Sequence, residues 1–209
     1  NFYLIEQQIS LARRHLPRGY SRQLPRLADG PSGGFPRIYD LALELISHMD
    51  GRVDSDNVIH FVAAYQTAEP LQLGELWAFP IMLRLALLEN LRRVGLRIAR
   101  RREGRNAAIT WADRMLATAE KKPKQVIQVL AEFANADVPL TAPFVEEFYA
   151  RLQAQGSVMA FVQTWVEQKL LEQGVTATQL SEMDARTAAT NQISMANSIG
   201  SLRFIGAMD

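Results

Sequence analysis

The chain has 209 residues, is 48% apolar and 22% charged, and carries a formal net charge of +1. Ordinary globular proportions over that length exclude wholesale disorder and allow a large core. The absence of cysteine excludes a disulfide framework, a thiolate metal site and a cysteine nucleophile. Charge is uneven: 16 Lys+Arg stand against 12 Asp+Glu in residues 1–114, and 7 against 10 in residues 115–209. Neither half is basic enough for a dedicated nucleic-acid domain.

A helical period dominates from the start. Ile5, Ile9, Ala12 and Leu16 space one stripe. The segment "HLPRGYSRQLPRLADGPSGGFPRIYDL", residues 15–41, then crowds prolines, glycines and arginines into an irregular strap. Ile38, Leu41, Ala42, Leu45, Ile46 and Met49 follow the i, i+3, i+4, i+7 template of an amphipathic helix. Asp54 or Ser55 caps a third helix with Val58, Phe61, Val62 and Tyr65 on its face. A long helix is predicted from about Leu76 to Arg102, ended by Gly104, and Trp111, Ala112, Met115 and Ala119 mark the next.

Pro123 sits where a first-turn proline belongs, ahead of Val126, Ile127, Leu130 and Ala134. Thr141 caps the helix carrying Val145, Phe148, Tyr149 and Leu152, which Gly156 stops. Val158, Phe161, Val162, Trp165 and Lys169 continue the pattern to Gly174. Thr176 with Gln179 forms a capping box opening a last helix to about Ser198. That helix, "DARTAATNQISMANS", is small and polar on most faces, so its packing partner is either close-fitting or outside the chain. No alternating strand pattern and no repeat intervene. The expectation is an all-α fold of about eight helices in a single domain, 1–209, with the strap near its N-terminus.

Catalytic signatures are sparse. His15, His48 and His60 form no H-E-x-x-H motif. "DGRVDSD" lacks an EF-hand's ligands, since the twelfth position counted from Asp50 is Phe61. "GPSGGFP" is neither a Walker loop nor G-x-G-x-x-G, and no strand precedes it. Trp77, Trp111 and Trp165 each sit in an apolar stripe and read as core, Trp77 being the one placed for stacking on a sugar. The most apolar run, Leu76–Leu88, is interrupted by Arg84 and is shorter than the roughly 20 residues of a membrane span.

Arginines are the sharpest feature. Arg13, Arg14, Arg18, Arg22 and Arg26 surround Tyr20, and Arg92, Arg93, Arg97, Arg100, Arg101, Arg102 and Arg105 crowd the end of the long helix. A planar guanidinium favours fixed, bidentate partners over diffuse attraction. The first set reads as a clamp on carbonyls and on acids such as Asp40 and Glu44. The second reads as a solvated or membrane-facing rim, equally able to grip phosphates or an acidic partner domain. From both sets, the candidate binding residues are Arg13, Arg14, Arg18, Tyr20, Arg22, Arg26, Arg93, Arg97, Arg100 and Arg101. The residues nominate no metal or catalytic group.

The stretches "NFYLIEQQI", "RRHLPRGYSRQLPRL", "GFPRIYDLALELISHMDGRVD", "FVAAYQTAEPLQLGELWAFPIMLRLALLENLRR" and "ISMANSIGSLRFI" resemble a region near the N-terminus of the cyclic β-1,2-glucan synthases. The resemblance implies a piece of a very large bacterial inner-membrane glycosyltransferase. By that resemblance the parent polymerises glucose from UDP-glucose, with a divalent metal, and cyclises the product in a separate domain. The family's Q-x-x-R-W signature is absent, "QTWVEQ" at Gln163 not being one, and a sheet crevice for a nucleotide-sugar is not predicted. No catalytic residue is carried over, and no cofactor is expected in this chain. The expectation is a non-catalytic accessory domain on the cytoplasmic side of the membrane, partnered by the parent's other domains and by anionic lipid. Its alternative is a stand-alone module for an anionic partner: phospholipid, acidic protein or, more remotely, RNA. A glycan-binding or hydrolase domain would need opposed carboxylates, which Glu146–Glu147 and Asp54–Asp56 are too local in sequence to supply.

Overall fold

The computed structural model describes residues 2–16, 19–153 and 159–207. Among them are nine α-helices, one short 3-10 turn and no strand: α1 (Phe2–His15), α2 (Tyr20–Gln23), α3 (Arg37–His48), α4 (Ser55–Ala68), α5 (Leu73–Lys121), α6 (Val126–Asn135), α7 (Ala142–Leu152), α8 (Ala160–Glu172) and α9 (Ala177–Gly206), the turn being Pro123–Gln125. The fold is all-α, as the 3.6 period predicts. No helix of the described residues is long and apolar enough to cross a membrane.

The chain divides into two compact units. Unit 1 comprises Asn1–Gly95 and Thr190–Asp209; unit 2 is Leu96–Ala189. Helices α5 and α9 each contribute residues to both.

Unit 1 buries the predicted α3 stripe: Ile38, Leu41, Ala42, Leu45 and Ile46 pack with Phe79, Met82, Leu83 and Leu87 of α5 and with Leu202 of α9. The Asp54 carboxylate accepts from the Asn57 amide at 2.9 Å, capping α4. Unit 2 closes on aromatic rings. Phe133 lies 5.2 to 5.7 Å, centroid to centroid, from Trp111, Phe144, Phe148 and Trp165. The capping box forms in both directions, Gln179 N–H to Thr176 Oγ1 at 3.2 Å and Thr176 N–H to Gln179 Oε1 at 3.0 Å.

Three expectations need correcting. Gly104 does not end the long helix, because α5 runs through it to Lys121. A Cβ there would lie 2.8 Å from Thr141 Oγ1, so glycine serves close approach of the α7 cap rather than termination. Helix α9 does not stop near Ser198; it continues to Gly206 because Ser201, Leu202 and Ile205 are buried in unit 1. Trp77 is not core: it is 75% exposed on α5, with Leu73 at 72% beside it one turn earlier. The predicted stop at Gly156 lies outside the described residues.

Candidate functional site

The strap is built on a short antiparallel pairing. Beside the Arg26–Pro36 bridge, Leu27 N–H donates to Phe35 O at 3.1 Å and Gly34 N–H to Leu27 O at 2.9 Å, with Arg37 N–H reaching Pro25 O at 2.8 Å. Gly30 and Gly34 take positive φ at the turn, a region open to glycine at no steric cost. Arg26 Nη1 donates to Gly34 O at 2.5 Å, within its own hairpin. Tyr20 Oη donates to Gly74 O at 2.7 Å in the first turn of α5.

The strap's best-built polar contact comes from Arg37, which is not among the predicted site residues. Its Nε and Nη2 grip the Glu75 carboxylate at 3.0 and 2.6 Å, Nη2 also reaches Pro70 O, and Glu69 pairs with Nη1. Glu75 is completely buried and accepts a further bond from the Gln72 amide at 2.9 Å. The Glu75 hydrogen bond drives the Arg37 pKa above its ordinary value. The acids expected for this role, Asp40 and Glu44, are not the ones Arg37 uses. The available signal was an arginine directly after Pro36; its partner lies 38 residues away.

Of the other residues predicted around Tyr20, Arg13, Arg14 and Arg22 are exposed on α1 and α2, and Arg18 lies outside the described residues. The second set divides between the units. In unit 1, Arg92 binds Glu89 through two bonds of 2.7 and 2.8 Å, and Arg93 binds the same carboxylate at 3.1 Å. Those contacts, that of Arg92 first, hold the Glu89 carboxyl below its ordinary value. In unit 2, Arg101 pairs with Asp184 at 2.8 Å. Arg100 joins it in lining a cavity of about 510 Å³ beside Thr141, Asp184 and Thr187. Arg97 is exposed on α5.

Asp54-Ser55-Asp56 has the spacing of a D-x-D pair, but Asp54 spends both carboxylate oxygens on Asn57, at 2.9 and 2.7 Å. Among the described residues no group of three His, Cys, Asp or Glu could hold a metal ion.

The most elaborate polar geometry is a seam inside unit 1, where α9 from Thr190 onward meets the rest of the unit. Ser201 Oγ accepts from Val53 N–H at 2.8 Å and donates to Gly51 O at 2.9 Å. Asn90 Nδ2 donates to Ser194 Oγ and Ser198 Oγ at 2.8 and 2.9 Å, and Asn197 Nδ2 donates to Asp50 O at 3.1 Å. The small, polar composition of α9 therefore has a partner inside the chain.

By class, then, the described residues form an all-helical fold whose named interior polar contacts hold turns, helix ends and neighbouring helices. Along its whole length it is 31% identical to the cyclic beta-(1,2)-glucan synthase NdvB of Rhizobium meliloti (strain 1021), the 209 aligned residues covering 100% of this chain and 7% of that protein. No family model matches the chain. The similarity agrees with the resemblance carried by the quoted stretches and is consistent with a region of the cyclic β-1,2-glucan synthase family.

Proposed function

We propose that this chain is a non-catalytic accessory domain of a cyclic β-1,2-glucan synthase. The observation that carries the reading is the alignment itself, which takes in every residue of this chain and only a small share of the relative. The arrangement of the interior agrees with it: Glu75, Ser201 and Asn90 bond to structural partners. The parent would be a bacterial inner-membrane glycosyltransferase using UDP-glucose and a divalent metal in other domains. This domain would dock on them from the cytoplasmic side, through the arginine-bearing part of α5 facing a neighbouring domain or anionic lipid. Within it the strap is a clamp, tied to α5 through Tyr20 and Arg37. The proposed unit of function is residues 1–209 as one domain, since α5 and α9 run through both compact units.

Two measurements test the reading. The isolated chain, given UDP-glucose with magnesium or manganese, is expected to transfer no glucose, and measured transfer would overturn it. Deleting the corresponding region from an intact synthase is expected to lower membrane-bound glucan synthesis; unchanged synthesis would remove the accessory role.

A further inference from the structure

Unit 1 contains an open groove of about 690 Å³ that the reading above leaves unused. It is lined by Ile5 and Ile9 of α1, Phe35 of the strap, Tyr39 of α3, and Leu85 and Leu88 of α5. Ile9 is 38% and Phe35 54% exposed, so part of the groove's wall is solvent-facing apolar surface.

The polar side chains of the lining are Ser21, Tyr39, Glu89 and Arg92. The lining along α5 runs from Met82 to Arg92, roughly 15 Å at the helical rise. Its polar members sit at the C-terminal end. There one Glu89 carboxylate binds two guanidiniums, those of Arg92 and Arg93, which leaves a single positive charge. Tyr39 stands within electrostatic reach of all three.

An occupant complementary to this groove is apolar over that length and carries one negative charge at one end. A docked helix would present polar groups along its flanks, whereas the groove is polar at one end of its α5 lining. We propose that the groove binds a long-chain fatty acid, its alkyl chain lying along Met82–Leu88 and its carboxylate on Arg92 beside Arg93. The proposal is independent of the chain's parentage.

Calorimetric titration of the 209-residue chain tests it, using decanoate, dodecanoate and tetradecanoate, each below its micelle concentration. One-to-one binding is expected, tightening by up to roughly fourfold per added methylene until the groove is filled. Butyrate, with the head group and almost no tail, is expected not to bind. Dodecyltrimethylammonium, with the same tail as dodecanoate and the opposite charge, is expected to bind at least tenfold more weakly. Arg92→Glu should weaken dodecanoate binding at least tenfold, and Ile9→Lys should abolish it, with circular dichroism verifying the fold. If Ile9→Lys does not fold, Phe35→Lys at the exposed mouth carries the same expectation. The proposal is overturned by no saturable binding of any of the three acids, by equal affinity for the cationic amphiphile, or by dodecanoate binding that survives the lysine substitution.

Discussion

Among the described residues the buried polar and charged side chains, Gln8, Glu75, Arg84, Asn191, Ser194, Ser198 and Ser201, all belong to unit 1. Unit 2 has none of them and instead gathers its rings around Phe133. The two solutions differ in what they demand of a sequence. An aromatic cluster gains from area and tolerates small shifts, while a buried bond network fixes geometry and is costly when half removed. Unit 1 also holds the irregular strap, whose Leu24, Ile38 and Leu41 are buried in its core.

The largest expected effect lies in unit 2. Phe133→Ala should cost about 3–5 kcal/mol, read in denaturant by the fluorescence of Trp111 and Trp165 after the exposed unit 1 reporter is removed by Trp77→Phe. A loss under about 1 kcal/mol would break the comparison. In unit 1, Arg37→Met leaves Glu75 buried beside only the Gln72 amide and should cost about 3 kcal/mol. The double variant Arg37→Met/Glu75→Leu should recover most of that loss; failure to recover would show the pair stabilising in its own right.

Gly51→Ala comes next, at about 2 kcal/mol. Its φ is +78°, and a Cβ would meet Ser198 Oγ at 2.3 Å and Ser194 O at 2.9 Å. A thermal shift of under a degree would mean that the seam yields. The smallest effect is confined to alkaline pH. Burial, helped by the charge of Glu167, pushes the Tyr149 hydroxyl up to about 12. Because the folded value lies above the unfolded one, this contribution is complete below about pH 10 and is lost as pH rises towards 12. Tyr149→Phe should flatten that decline, measured as the denaturant midpoint at several alkaline pH values.

The helical stripes were legible because burial of one face imposes a 3.6 period on any sequence. Asp54 and the Thr176–Gln179 box were equally readable, since caps act within one turn. What could not be read were devices spanning long separations. Gly104 carries the composition of a helix stop, yet answers to a threonine 37 positions later. Arg37 finds Glu75 instead of nearby Asp40 or Glu44 because its fork needs a carboxylate fixed in the right plane. Trp77 sits at a stripe-compatible position but points to solvent, which spacing alone does not distinguish. The arginine run on α5 read as one feature, whereas Arg92 and Arg93 share Glu89 and Arg101 takes Asp184.

The bond from Ser201 to the Gly51 turn joins positions 150 residues apart in the chain. During synthesis that turn leaves the ribosome long before its anchor exists. At about 5–20 residues per second the delay is on the order of ten seconds. All of Leu96–Ala189 emerges within that interval, so the inserted segment has its full complement of residues while its host is still missing a helix.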